Sequence, residues 1–319
     1  MSELQPVIFP NKEGLKLFGI LHQPDSGRRK STAIILLSPG VKMRVAPHGM
    51  YNKMAEHYVE MGFPVLRFDF YGLGDAEGEI ELQQLSNIYN TIQLGRYVND
   101  TLASMDWMQE QYGISKFIVG GLCGGAITGM LAAQQDMRAT ALLALGIPVA
   151  LDVGEENWHR HLSQGQLSQL RSGYIKNLFK PASWLRLITL QSDFRVIWKS
   201  IWQLLKSKLA SSSAGRQAPA AIPKAAEDRS DDDNTNPKFA PAFLSMLETS
   251  RPMLHIFSGT DRLAWEFDEK FAQKHQSQLE QYRSLLEIHT IAKANHILGH
   301  PEWFNQMLDI SGQWLKRFN

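Results

Sequence analysis

The sequence predicts an α/β fold, a mostly parallel central sheet flanked by helices and carrying a helical cap-like insertion. Three observations predict it. Short β-branched or apolar runs alternate with longer helical patterns through the first half of the chain, which is the rhythm of strand-helix-strand units. That rhythm stops after TALLALGIP and resumes at RPMLHIFSGTD, so the block between has a different character. With 319 residues, 44% of them hydrophobic, the chain is long enough for one large domain with such an insertion, or for two small domains.

The elements follow in order. LKLFGILHQP and TAIILLSPG read as early strands, MYNKMAEHYVEMG as a helix and FPVLRFDF as a strand. LSNIYNTIQLGRYVNDTLASMDWMQEQYG reads as one long amphipathic helix. The strand KFIVGG, a helix from about Gly124 to Gln135 and the strand TALLALGIP come next. After the interruption, RPMLHIFSGTD and LLEIHTIAKANH restore the strand pattern, and EWFNQMLDISGQWLKRF closes with an amphipathic helix. The core is therefore expected over 1–148 and 242–319, with 149–241 as the insertion. Within it, about 207–240 is rich in Ser, Ala, Pro and charge and poor in large apolar groups. Such a segment cannot bury enough surface to offset its ordering entropy, so a flexible loop is expected there.

Composition narrows the function. Thirty-three Lys and Arg against 32 Asp and Glu leave a net charge of +1, which gives nucleic-acid binding no support from global charge. One cysteine excludes intramolecular disulfides and paired-cysteine metal sites, and suits a reducing cytosol. The opening MSELQPVIFPNKEG has no basic region followed by an apolar run, and no stretch reaches the ~18–20 apolar residues of a membrane span. A cytoplasmic protein is expected, with no cofactor or metal.

That single cysteine stands in GGLCGGA, residues 120–126. A lone cysteine is ordinarily a small buried hydrophobe. Here Gly121-Leu122-Cys123-Gly124-Gly125 matches the small-x-nucleophile-x-small pattern of a sharp strand-to-helix turn, with a strand before it and the small-residue helix GAITGMLAAQQ after it. The helix N-terminus beyond the sulfur favours a thiolate. A thiolate nucleophile needs a base, and the base an orienting carboxylate. HIFSGTDRL places Asp261 just after a strand and IAKANHILGH places His296 after the next, with Asp152 and His300 as rivals. An acyl-transfer oxyanion needs two preset donors: the Gly124 N–H is one, and Val41 or Lys42 in SPGVKMRVAPHG supplies the other.

With these residues in place, the chain resembles the α/β-hydrolases over nearly all its length outside the flexible segment. FDFYGLGDAEG resembles the D-x-R-G-x-G-x-S turn of many members, with Tyr71 in place of the arginine and Ala76 in place of the serine; Gly72, Gly74 and Asp75 are then turn residues and not a phosphate loop. More narrowly, GLCGGA, GVKMRVAPH and VLRFDFYGLGDAEG look like the cysteine-elbow hydrolases encoded alongside exosortase and exopolysaccharide systems in bacteria, which usually carry an acidic residue where this chain has Gly124. The dienelactone hydrolases, also with a Cys-His-Asp triad, are a more distant comparison.

The resemblance implies an acyl-transfer fold whose insertion caps the active site. From Arg171 to Lys208 eight Lys or Arg face one acid, Asp193, a local charge of +7, and Trp184, Trp198 and Trp202 lie in the same stretch. Such a basic, tryptophan-bearing cap rests on an anionic membrane surface or receives an acidic carrier; the plainer reading is that its apolar side, with Trp184 and Trp198, roofs the substrate pocket while its lysines are solvated. Arg44 and His48 either meet an anionic group on the substrate or brace their loop. The expected activity is hydrolysis of an ester, lactone or thioester of a small acyl substrate, free or carrier-bound, through an acyl-cysteine intermediate. An acyltransferase with the same triad and a non-catalytic binding protein on the same scaffold are the alternatives.

Overall fold

The computed structural model describes residues 3–80, 87–152 and 234–318. All belong to one of two compact units, Met1–Ser163 with Asn234–Asn319. The second unit, Gln164–Asp233, lies outside the described residues, and with it Trp184, Trp198, the basic stretch and most of the segment expected to be flexible.

The described chain runs β1 Glu3–Pro10, β2 Lys16–Gln23, β3 Thr32–Leu37, α1 Met50–Glu60, β4 Val65–Phe68, α2 Ile88–Gln93, α3 Val98–Tyr112, β5 Lys116–Leu122, α4 Gly124–Gln135 and β6 Ala139–Leu145. It continues with α5 Phe239–Glu248, β7 Met253–Ser258, α6 Arg262–Phe267, α7 Gln276–Gln281, β8 Leu286–Ile291 and α8 Pro301–Leu315. The strands form one sheet in the order β1-β2-β4-β3-β5-β6-β7-β8. β2 pairs antiparallel with both β1 and β4, and every pairing from β4 to β8 is parallel. All six residues of β3 are buried, as the unbroken run TAIILL requires of a strand covered on both faces. One apolar cluster, including Ile35, Val119, Met130 and Phe243, fills one face of the sheet. Another, including Ile34, Tyr51, Ile118 and Trp314, fills the other.

Three features depart from the expectation. β1 lies where no strand was read; it carries Pro6 and Pro10, which a strand admits at the sheet edge, where one side has no ladder to complete. The long helix is broken into α2 and α3 by Gly95, at φ 99°. Both pieces still bury apolar residues in the same cluster, Ile88 and Ile92 from one and Val98, Leu102 and Met105 from the other, which is why one periodicity runs through both. The core also takes in chain on either side of the insertion. Leu151 N–H donates to Asn234 O and Asn236 N–H to Val149 O, each at 2.8 Å, and α5 buries Phe239 and Phe243.

Because β3 and β5–β8 run parallel, their carboxyl ends open on one edge of the sheet. Among the described residues no helix is long and apolar enough to cross a membrane.

Candidate active site

Cys123 occupies the turn between β5 and α4 with φ 52° and ψ −110°, a backbone conformation that a non-glycine residue adopts only where its surroundings enforce it. The enforcement is visible. Cys123 N–H donates to Leu145 O at 2.8 Å, and Cys123 O accepts the first bond of α4 from Ile127 N–H at 3.2 Å. A side chain on Gly125 would overlap the Leu37 carbonyl, so the helix can approach β3 only with glycine there. The thiol is partly exposed at the head of the helix.

The acid and the base arrive from the next strand ends. Asp261 starts α6 directly after β7, and His296 lies in the loop after β8. The two loops are laced together: Gly259 N–H donates to Ile291 O at 2.9 Å, Thr260 N–H to Ala294 O at 3.1 Å, and the Thr260 hydroxyl to the same carbonyl at 2.7 Å. The lacing brings His296 Nδ1 to 2.5 Å from Asp261 Oδ2. Asp261 is 13% exposed and His296 38%, so the carboxylate is sheltered while the ring keeps an open side. The hydrogen bond to Asp261, and after it the hydrogen bond to the Cys123 thiol, raise the imidazole well above the ordinary histidine range, to about 10, against the opposing effect of burial. The rivals lie elsewhere: Asp152 exchanges backbone hydrogen bonds with the Asn90 side chain, and His300 caps α8, its Nδ1 accepting from Glu302 N–H at 3.3 Å.

Gly124 is the first residue of α4, so its N–H has no acceptor within the helix. A Cβ at Gly124 would come within 2.8 Å of Gly40 Cα and N, which sets the elbow against the loop after β3. In that loop Lys42 N–H is turned back onto Pro39 O at 3.4 Å, whereas Val41 N–H has no acceptor among the described residues. Of the two candidates for the second donor, Val41 has the uncommitted amide.

Arg44 braces the loop. Its guanidinium bonds Asp69 and reaches Asp75 at 2.6 Å, and its own N–H donates to Asp69 at 2.5 Å. Two carboxylates of the chain therefore occupy the groups offered to a substrate anion. Asp75 N–H also donates to Asp69, at 3.1 Å, which places the FDFYGLGD segment in the scaffold of the site. His48 is exposed in a short turn at φ 55° and makes none of these contacts.

One residue escaped the sequence reading. Tyr51, fully buried in α1, donates its hydroxyl to Leu37 O at 2.8 Å and accepts from Leu122 N–H at 2.7 Å. It ties the strand end before the Val41 loop to the residue before Cys123. The available signal was a tyrosine on the apolar face of a helix, since a buried phenol needs a partner.

The strand order, the single antiparallel strand within a parallel sheet, and the sharp strand-to-helix turn after β5 decide the architecture. The fold is the α/β-hydrolase fold. Solved structures agree. The chain is similar to the esterase Pf2001 of Pyrococcus furiosus, at 15% identity and TM-score 0.57 over 99% of this chain and 93% of that one. It is similar to a dienelactone hydrolase from Anabaena variabilis, at 14% identity and TM-score 0.55 over 99% and 98%. A third match is the esterase domain of a Rhodothermus marinus protein, at 15% identity and TM-score 0.52 over 99% of each chain. By sequence, no protein-family model and no curated protein matches. At these identities the likeness is one of α/β-hydrolase fold, and chemistry has to be argued from the site.

Proposed function

We propose that this chain is an acyl hydrolase that cleaves an ester, lactone or thioester through a Cys123-His296-Asp261 triad. One observation carries the reading: the His296 imidazole is hydrogen-bonded to the Asp261 carboxylate, and the Cys123 thiol, the only one in the sequence, joins Asp261 in raising that ring. In this reading His296 already holds the proton of the thiol as an imidazolium, the Cys123 thiolate attacks the acyl carbon, and the tetrahedral oxyanion is held by the N–H groups of Gly124 and Val41. Collapse expels the alcohol or thiol, which takes the proton from His296, and leaves an acyl-Cys123. His296 then draws a proton from water, whose oxygen attacks the thioester, and the thiol returns as the acid leaves. Asp261 holds the ring in the productive tautomer throughout.

Three matched proteins are named for ester or lactone hydrolysis, which supports this bond class. The resemblance of GLCGGA and its companion motifs to the exosortase-associated hydrolases favours an acyl group on a polysaccharide- or lipid-related substrate, and a catalytic free thiol fits the reducing cytoplasm.

Intact mass after acid quench, with aryl esters and acyl thioesters of increasing chain length, tests the proposal. Wild type is expected to carry an acyl adduct and Cys123→Ala none, with turnover lower by on the order of 10³-fold or more. Replacing His296 by Gln should let the adduct accumulate. Adding an alcohol acceptor separates hydrolysis from transfer. Absence of both adduct and product with every donor would leave the elbow as scaffold.

A further inference from the structure

The loop that carries His296 forms one wall of a second feature. Between it, the start of α8 and the segment from Pro47 to Lys53 lies a cavity of about 320 Å³, within the range of small-ligand pockets. Met50, Leu298 and Phe304 give it apolar walls; His48, Lys53 and His300 give it basic groups; and no aspartate or glutamate lines it. The Lys53 ammonium lies 5.5 Å from the centre of the Phe304 ring, so a positive charge stands against the apolar wall. Because His300 Nδ1 accepts from Glu302 N–H, the neutral ring carries its own proton on Nε2 and offers a donor there. Arg44, the other candidate for anion recognition in this loop, is occupied by Asp69 and Asp75. His48, Lys53 and His300, which line the cavity, make no ion pair with a carboxylate among the described residues.

We propose that the cavity is a binding site for a small organic carboxylate. The stem of the acid rests on Met50, Leu298 and Phe304, and its carboxylate meets Lys53 with the imidazoles of His48 and His300. A monoanion with an apolar stem uses both kinds of wall, whereas inorganic phosphate uses only one and forfeits more hydration on entry. Binding here does not depend on a reactive Cys123. Where the triad acts as proposed above, the site holds the acid-bearing part of the substrate, or the acid product as it leaves.

Hexanoate, 1-hexanol and inorganic phosphate, titrated separately into full-length wild type and Cys123→Ala and followed by ligand-observed NMR and calorimetry, test the site. Hexanoate is expected to bind both proteins equally, and 1-hexanol and phosphate more weakly. The double variant Lys53→Met/His300→Gln should weaken hexanoate roughly three- to tenfold and leave 1-hexanol as it was. If the double variant melts lower than wild type, Lys53→Met alone, at an exposed position, decides. Equal binding of hexanoate and 1-hexanol, preferential binding of phosphate, or unchanged affinity in the variants would overturn the proposal. Because binding is read without turnover, an inactive triad and an absent carboxylate site give different results.

Discussion

The two halves of the site are held by different forces. The half that carries Cys123, β5 through α4, is held by close approach: Gly124 lies against Gly40, Gly125 against Leu37 O, and the Tyr51 hydroxyl pins Leu122. The half that carries Asp261 and His296, the loops after β7 and β8, is held by hydrogen bonds between loops, from Gly259 and Thr260 to Ile291 and Ala294 and from His296 to Asp261. Contact-limited structure has no slack, because interiors are close-packed and a single added atom has nowhere to go. Hydrogen-bonded loops lose about 1 kcal/mol per bond and adjust. Atoms in the first half are placed by exclusion, and in the second by partnership.

The largest effect should therefore come from the smallest substitution. Gly125→Ala puts a methyl group onto a backbone carbonyl, and should cost at least ~3 kcal/mol and lower the melting temperature by roughly 6–12 °C in calorimetry. A variant as stable as wild type would break the contrast.

The halves should also differ in acid. Residues 116–135 contain only Lys116 and Cys123 as titratable side chains. β7 carries His255, fully buried among Phe243, Phe257 and Phe267, and burial lowers it to about 3. Across the sheet, burial and then the charge of Arg67 lower His22 to about 4. Below the unfolded value of 6.5 the unfolded chain binds these protons and the native state does not. Stability is thus complete above pH 6.5 and declines towards pH 4, by up to about 2 kcal/mol per histidine by pH 5. His296 runs the other way: its contribution is full below pH 6.5 and disappears as pH rises through about 10. Urea midpoints between pH 7.5 and 5 should fall in wild type and fall less in His255→Leu; equal slopes would remove His255 from the account.

Tyr51→Phe separates geometry from reactivity. It leaves Leu122 N–H and Leu37 O without their bridge, and should slow acyl-enzyme formation by about 10- to 100-fold through a displaced oxyanion site. Alkylation of Cys123 by iodoacetamide forms no oxyanion and should keep its wild-type rate. Loss of both rates together would make Tyr51 a support of the whole elbow.

The smallest effect is expected in the other half. Thr260→Val removes one bond to Ala294 O and keeps the backbone bond, so kcat/KM should fall only two- to fivefold, with ~1 kcal/mol of stability lost. A loss as large as that of Gly125→Ala would mean that the loops are as tightly determined as the elbow.

Much of this was legible in the chain because it is local. Periodicity located β2 to β8 and the helices α1, α4 and α8, and the glycines around Cys123 marked the elbow, since a turn that excludes side chains must be written in residues that lack them. Asp261 and His296 could be named from position alone, as polar residues just past strands whose carboxyl ends share an edge. The break at Gly95 and the edge strand β1 were hidden: an apolar period does not register a change of direction, and a proline's cost depends on whether its strand has a neighbour. Whether Arg44 faced a substrate or the chain was likewise undecidable, because Asp69 and Asp75 are 25 and 31 residues away. Tyr51, 71 residues from Leu122, gave no sign of its partner. The sequence by itself determined most of the elements, the sharp turn at Cys123 and the candidates for acid and base, all carried by short-range sterics and pattern. Only the tertiary structure decided which polar groups meet, because a hydrogen bond across the sheet depends on distances that no local pattern encodes.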